Sequence, residues 1–172
     1  VLIDGAQLTV HSAVNVSRDD IDFYAFSGHK IYGPTGIGIL YGKLDLLKQM
    51  PPYQLGGDMV ESVSFDNVVF KEPPSKFEAG TPPIAEVVGL GVAVDFLMNI
   101  GMDNVEREGA ELTSYAIQRL SKIDGVHIIS GKDSNSIVSF YIDGISSFDV
   151  GTLLGSRGIC VRVGKHCAEP LH

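Results

Sequence analysis

The sequence predicts an α/β chain whose first part holds a mostly parallel sheet and whose last part is a small α+β segment. Three observations point there. "VLID" and "IDFYAFSGHK" each carry a short unbroken apolar run, Val1 to Ile3 and Phe23 to Phe26, closed by a polar or turn residue. Such runs fit strands covered on both faces. The stretch between them, Gly5 to Asp20, is long enough for the helical crossover that parallel strands require. Two long helical segments then give way to short strands in an order that reads β-β-α-β.

Taken in order, the elements have local causes. "GIGILYG" is a third strand, in which Gly36 and Gly38 permit close backbone approach. Lys43 to Met50 forms a short helix that Pro51 and Pro52 stop. Pro51 to Pro83 is mostly loop, with a hairpin through Val63 to Phe70, and a loop of that length is usually functional or interfacial. Ile84 to Ile100 is a helix with Gly89, Gly91 and Ala93 on its faces. Asp103 to Ile123 is a second, with Val105, Leu112, Ala116 and Leu120 along one side. Strands follow at Val126 to Ile129 and Ile137 to Ile142, then a helix near Asp149 to Ser156 and a strand at Cys160 to Val163.

Bulk properties narrow the function classes. A net charge of -8 argues against nucleic acid as a partner, because phosphate binding needs a basic face. No apolar stretch approaches the ~20 residues of a bilayer span, and no signal peptide is visible. The 2 cysteines, Cys160 and Cys167, make no CxxC pair and no disulfide framework, so a reducing, cytoplasmic setting is expected. The chain starts without Met inside an apolar run and stops just after a cysteine loop. It is expected to be a piece of a longer protein.

The chemistry concentrates in "SGHKIYGPTGIG", residues 27 to 38. In open α/β sheets ligands sit beyond the carboxyl ends of the strands. Asp4 and Lys30 both fall at or just past such ends, so one crevice can take both. An amine and a carboxylate held this way suit pyridoxal phosphate, which needs a lysine tether and an acid at its pyridine nitrogen. Gln7 is placed to reach the ring oxygen, and Ser27 and His29 offer donors to a phosphate. The plain alternative is a solvated lysine beside a glycine loop and a turn-capping aspartate. "GPTGIG" has neither the G-x-G-x-x-G spacing nor the end of a Walker loop, so nucleotide binding is not indicated.

"DGAQ", "SGHKIYGPTGIGILY", "FEAGTP" and "VRVGKHCAEPL" together resemble the group II, SUF-type cysteine desulfurases, which are fold-type I pyridoxal-phosphate enzymes of the class V aminotransferase family. The resemblance runs along essentially the whole chain, in order and spacing. It implies a partial cofactor-binding major domain over residues 1–100 and a partial small domain with the cysteine loop over 101–172. It implies that Lys30 carries the cofactor covalently, Asp4 pairs with the pyridine nitrogen, and Gln7 bonds the ring oxygen. Ser27 and His29 would hold the phosphate. Gly80 and Thr81 would reach the phosphate of a neighbouring subunit, which makes a homodimer. Arg162 would line the substrate site and Cys167 would accept sulfur. L-cysteine would yield L-alanine and a persulfide on Cys167, passed to a SufE- or SufU-like acceptor for iron–sulfur cluster assembly. Family members also carry a cofactor-stacking histidine and a carboxylate-binding arginine in regions this chain lacks, so the isolated piece is expected to be inactive.

The cysteines read differently from each other. A free thiol is only a few per cent ionised near neutrality, and adjacent cations raise that fraction. Cys167 follows Arg162, Lys165 and His166 in a polar loop, where a reactive thiol is expected. Cys160, inside an apolar run, is expected to be buried and inert. A metal site of His166, Cys167 and His172 matches no usual zinc spacing, so no metal is expected. His11 and His127 read as surface or partly buried residues. Competing functions are a selenocysteine lyase acting on L-selenocysteine, another class V relative, or a non-catalytic truncated paralogue. "HCAEP" favours sulfur or selenium chemistry.

Overall fold

The computed structural model describes residues 1–131, 134–167 and 169–171. The chain divides into two units, Val1–Glu106 and Arg107–His172.

The first unit is built on a three-stranded sheet of order β1-β2-β3, with β1 at Leu2–Asp4, β2 at Phe23–Ser27 and β3 at Gly38–Gly42. β1 and β2 run parallel, with Leu2 opposite Phe23, Ile3 opposite Tyr24 and Asp4 opposite Ala25. The crossover between them contains one short helix, α1 at Leu8–His11. β3 runs antiparallel to β2, which the connection from Gly28 to Ile37 allows because it needs no crossover. α2 at Leu44–Gln49 ends before Pro51, as the prolines require. β4 at Val60–Val63 and β5 at Val68–Phe70 pair as an antiparallel hairpin, which begins three residues earlier than the sequence suggests. α3 spans Ile84–Ile100, the predicted bounds.

Val10 of α1, Leu90 and Leu97 of α3 and Ile31 form the buried cluster, with Phe26, Ile37, Val94 and Met102 packed against it. Ile31 closes the single 3-10 turn Gly28–Ile31 that follows β2 and is only 1% exposed. The core therefore grips the chain one residue after Lys30. A cavity of about 280 Å³ is lined mainly by Val14, Val16, Tyr24, Phe26, Tyr41 and Met102. At the opposite end of β2, Lys43 Nζ donates to Asp20 at 2.6 Å and to Asp22 at 2.7 Å.

α4, at Met102–Leu120, contains the boundary between the units. In the second unit β6 at Val126–Ile128 and β7 at Phe140–Ile142 form an antiparallel pair. α5 at Ser147–Gly155 is capped by Ser146, whose hydroxyl accepts from the Asp149 N–H at 3.1 Å. Two expectations fail here. Leu112 is 59% exposed, and the buried residue of α4 is Thr113, whose Oγ1 accepts the Ser136 N–H at 2.7 Å. Among the described residues, the stretch Cys160 to Val163, expected as a strand, makes no ladder. A strand needs a paired neighbour, and here the segment packs on α5 instead, with Val163 Cγ1 filling the space beside Gly151. No single helix among the described residues is long and apolar enough to cross a membrane.

Two outcomes test this description. Gly91 lies exposed in α3 with nothing within 4 Å of a Cβ built there. Gly91→Ala should raise the urea midpoint of this chain by an amount corresponding to roughly 0.5–1 kcal/mol, the helix-propensity difference. Asp22 is held below its ordinary 3.8, first by the hydrogen bond from Lys43. A depressed carboxylate stabilises the fold above its unfolded value and loses that contribution as pH falls through its folded one. Wild type should therefore exceed Asp22→Asn in denaturation midpoint above about pH 4, and the gap should close on acidification towards pH 2.

Candidate active site

β1 and β2 are adjacent and parallel, so their carboxyl ends share one edge of the sheet. Asp4 is the last residue of β1 and Ser27 the last of β2. His29 and Lys30 sit one turn beyond Ser27, both exposed, between the buried Gly28 and Ile31. The turn is closed on itself: the N–H groups of Tyr32 and Gly33 both donate to the Gly28 carbonyl, the latter at 2.9 Å. Tyr32 takes φ 66, in the left-handed region. Gly33 is tied to its place because a Cβ there would stand 2.9 Å from the Gly28 oxygen. Backbone closure and the Ile31 anchor thus fix the base of Lys30 and leave its side chain in solvent. The ion pairs of the first unit engage Arg18, Lys43, Lys48, Lys71 and the amino terminus, so among the described residues the Lys30 amine is left unpaired.

The aspartate's turn is equally specified. Asp4 Oδ1 accepts the Ala6 N–H at 3.0 Å, so the turn-capping reading of this residue holds as far as one oxygen goes. Gly5 N–H extends the ladder to Ala25 O at 2.8 Å, and Gly5 O accepts the Thr9 N–H at 3.0 Å. Gln7 is the residue before α1, exposed at the same edge. Sequence reasoning missed two residues here. Thr9 Oγ1 donates to Gly5 O at 2.7 Å and lies 2.9 Å from Tyr24 Oη. The Thr9 proton is committed to Gly5 O, so the Tyr24 hydroxyl donates to Thr9. The Tyr24 ring also occupies the space of a Gly5 side chain, with Cζ 2.0 Å from the Cβ position. The available signal was Thr9 itself, four residues after a glycine, the spacing at which a threonine hydroxyl reaches back to a carbonyl in a helical turn.

Gly80 and Thr81 belong to the stretch before α3. Gly80 has φ +83, and its N–H donates to Gly57 O at 2.9 Å, not to the strand-end corner. Thr81 is exposed. Arg162 and Cys167 lie in the second unit. Arg162 Nη2 approaches His166 Nδ1 at 3.5 Å, and Lys165 Nζ donates to Glu169 Oε1 at 2.7 Å. Gly164 and His166 both have positive φ, which turns the loop sharply. Cys167 is an exposed free thiol, and so is Cys160, against the expectation that it is buried. Cys160 is exposed because its segment joins no sheet. Of the residues considered for a metal, His172 lies outside the described residues. Among those described, no group of three His, Cys, Asp or Glu is gathered to hold an ion. His11 is half-buried and its pKa is lowered by that burial, while His127 is exposed, stacked on Tyr141 at 4.7 Å and 2.9 Å from Asp143.

Sheet and corner define an α/β protein with an acid and an amine at the carboxyl ends of adjacent parallel strands. The chain belongs to the class-V aminotransferase family, whose pattern matches residues 1–172. It is 48% identical over 174 residues to a probable cysteine desulfurase of Halobacterium salinarum, covering 100% of this chain and 42% of that protein. The crystal structure of the cysteine desulfurase CsdA from Escherichia coli superposes with a TM-score of 0.94 at 45% identity, over 99% of this chain and 43% of that one. A C-DES mutant with glycine covalently linked to its PLP cofactor superposes with a TM-score of 0.83 at 25% identity, over 99% of this chain and 45% of that one. The chain thus spans less than half the length of these relatives.

Gly5→Ala tests the turn. The added methyl collides with a buried ring, and overpacking of this kind costs roughly 1–3 kcal/mol. The expected result is a lower melting temperature, partly restored by adding Tyr24→Leu.

Proposed function

We propose that this chain is part of a pyridoxal-phosphate-dependent cysteine desulfurase that removes sulfur from L-cysteine. The observation that carries the reading is the register of β1 on β2. It sets an acid at one strand end and an amine one turn past its parallel neighbour, at a single sheet edge. The donor set fits the cofactor. Lys30 is anchored at its base, exposed at its tip and unpaired among the described residues, and Asp4 keeps an oxygen beyond its turn hydrogen bond. The family membership and the names of the relatives support the same reading.

Each residue then has a task. Lys30 would hold the cofactor covalently, and Asp4 would pair with its ring nitrogen. Gln7 would reach the ring oxygen, and Ser27 and His29 would hold the phosphate. When bound, pyridoxal phosphate would supply an electron sink for charge developing at the substrate's α-carbon. The Lys30 amine would remove the α-proton and later return one. The Cys167 thiolate attacks the substrate sulfur. The carbon–sulfur bond breaks, its electron pair stays with carbon, which is protonated, and L-alanine leaves with a persulfide remaining on Cys167. Arg162 lines the substrate site. Gly80 and Thr81 serve the phosphate of a second subunit in a homodimer. Residues 1–100 belong to the cofactor domain and 101–172 to the small domain. The acceptor of the persulfide is a SufE- or SufU-like protein, in the cytoplasm, serving iron–sulfur cluster assembly.

The test is spectroscopic first. Pyridoxal phosphate added to the protein containing this chain should give a visible band that borohydride bleaches, and Lys30→Ala should abolish it. Cys167→Ala should keep the band and strongly lower alanine release from cysteine, because the nucleophile for the substrate sulfur is gone. No bleachable band in the unaltered protein would refute the proposal.

A further inference from the structure

We propose that Thr9 and Tyr24 are positioning residues that latch the Asp4–Gln7 turn in the geometry the cofactor ring requires. The inference rests on the cofactor reading above. Asp4 and Gln7 approach the ring from one short turn, whose start is held by the Gly5 N–H on Ala25 O and by the Ala6 N–H on Asp4 Oδ1. Asp4 and Gln7 are both exposed, and α1 is a single turn without a side-chain cap. What adds a side-chain tie between the far side of the turn and β2 is the relay from the Tyr24 hydroxyl to Thr9 Oγ1 to the Gly5 carbonyl, with 2.9 and 2.7 Å separations. The Gly5 oxygen is therefore doubly held, by the Thr9 hydroxyl and the Thr9 N–H. Tyr24 is 3% exposed and belongs to β2, the strand that leads to Lys30. One side chain thus references the turn of the acid to the strand of the amine. Its ring fills the place where any residue other than glycine would carry Cβ at position 5. Hydrogen bonds in series polarise one another, so losing the middle member weakens both links.

Removing the latch has two consequences that can be separated. Thr9→Val leaves the buried Tyr24 hydroxyl without a partner and should lower the melting temperature. It also frees the Gly5 carbonyl on one side, so the turn should wander and release the cofactor faster. Thr9→Val with Tyr24→Phe removes the orphaned hydroxyl. The melting temperature should then recover, while the turn stays loose. Thr9→Ser keeps the relay and should behave as wild type.

The experiment uses the cofactor-loaded protein containing this chain, with three readouts: melting temperature, amide exchange at Ala6 and Thr9, and the rate at which the borohydride-sensitive band is lost after dilution. The expected result for the double variant is a near-normal melting temperature, faster amide exchange at Ala6 and Thr9, and cofactor loss faster by about tenfold, the order that a disturbed supporting shell costs. Retention that recovers together with the melting temperature would overturn the proposal and leave Thr9 a purely structural residue. Wild-type retention in Thr9→Val would overturn it equally. A wild-type protein with no such band removes the cofactor reading and this inference with it, an outcome distinct from a normal band that the variants do not alter.

Discussion

The parallel ladder between β1 and β2 is the constraint from which the rest of the site follows. Strand side chains alternate faces, so a slip of one residue would move Asp4 off the edge it shares with Lys30 and turn Ile3 to the other side. The register is held by the pairing of Ile3 with Tyr24 and of Asp4 with Ala25, and by the Gly5 N–H that extends the ladder past the acid. A lysine at a strand end then ceases to be odd. Its neighbour Ile31 sits in the core cluster with Val10, Leu90 and Leu97, and the Gly28 carbonyl closes the turn. Helix α3 fixes the backbone beside Lys30 through that contact, by packing on Ile31.

The thiol half of the proposed chemistry is organised by different means. Among the described residues, no sheet frames Cys167. Its loop is shaped by two left-handed residues, Gly164 and His166, and by the Lys165–Glu169 ion pair. One of its cations is also engaged by Glu169, so the positive character that the sequence suggests is partly offset. Arg162 and His166 remain near each other without a carboxylate between them.

Much of this was legible before any coordinates. The unbroken runs in "VLID" and "FYAF" gave the parallel pair, the helix Ile84–Ile100 was bounded by Pro83 and Gly101, and the acid and amine fell at strand ends by position alone. The misses share a cause. "ICVRV" has every local preference of a strand, yet β structure depends on a partner, and its segment packs on α5. Leu112 looked like a core residue by helical spacing, but the buried position next to it went to Thr113, which exchanges burial for a hydrogen bond from Ser136. The Thr9–Tyr24 relay was invisible because it joins residues on two elements whose register only the fold reveals. Cys160 and Cys167 looked unlike in sequence and are alike in exposure.

Helix α3 carries a practical consequence. Most of its residues are apolar, yet only Leu90, Ala93 and Leu97 are buried, while Ile84, Val88, Val92 and Met98 each expose more than 60% of their surface. A ridge of oily side chains wetted along its length makes a sticky colloid whatever the net charge. Handled at high concentration, the 172-residue chain should bind hydrophobic dyes, cling to plastic and cloud on warming well before its sheet comes apart.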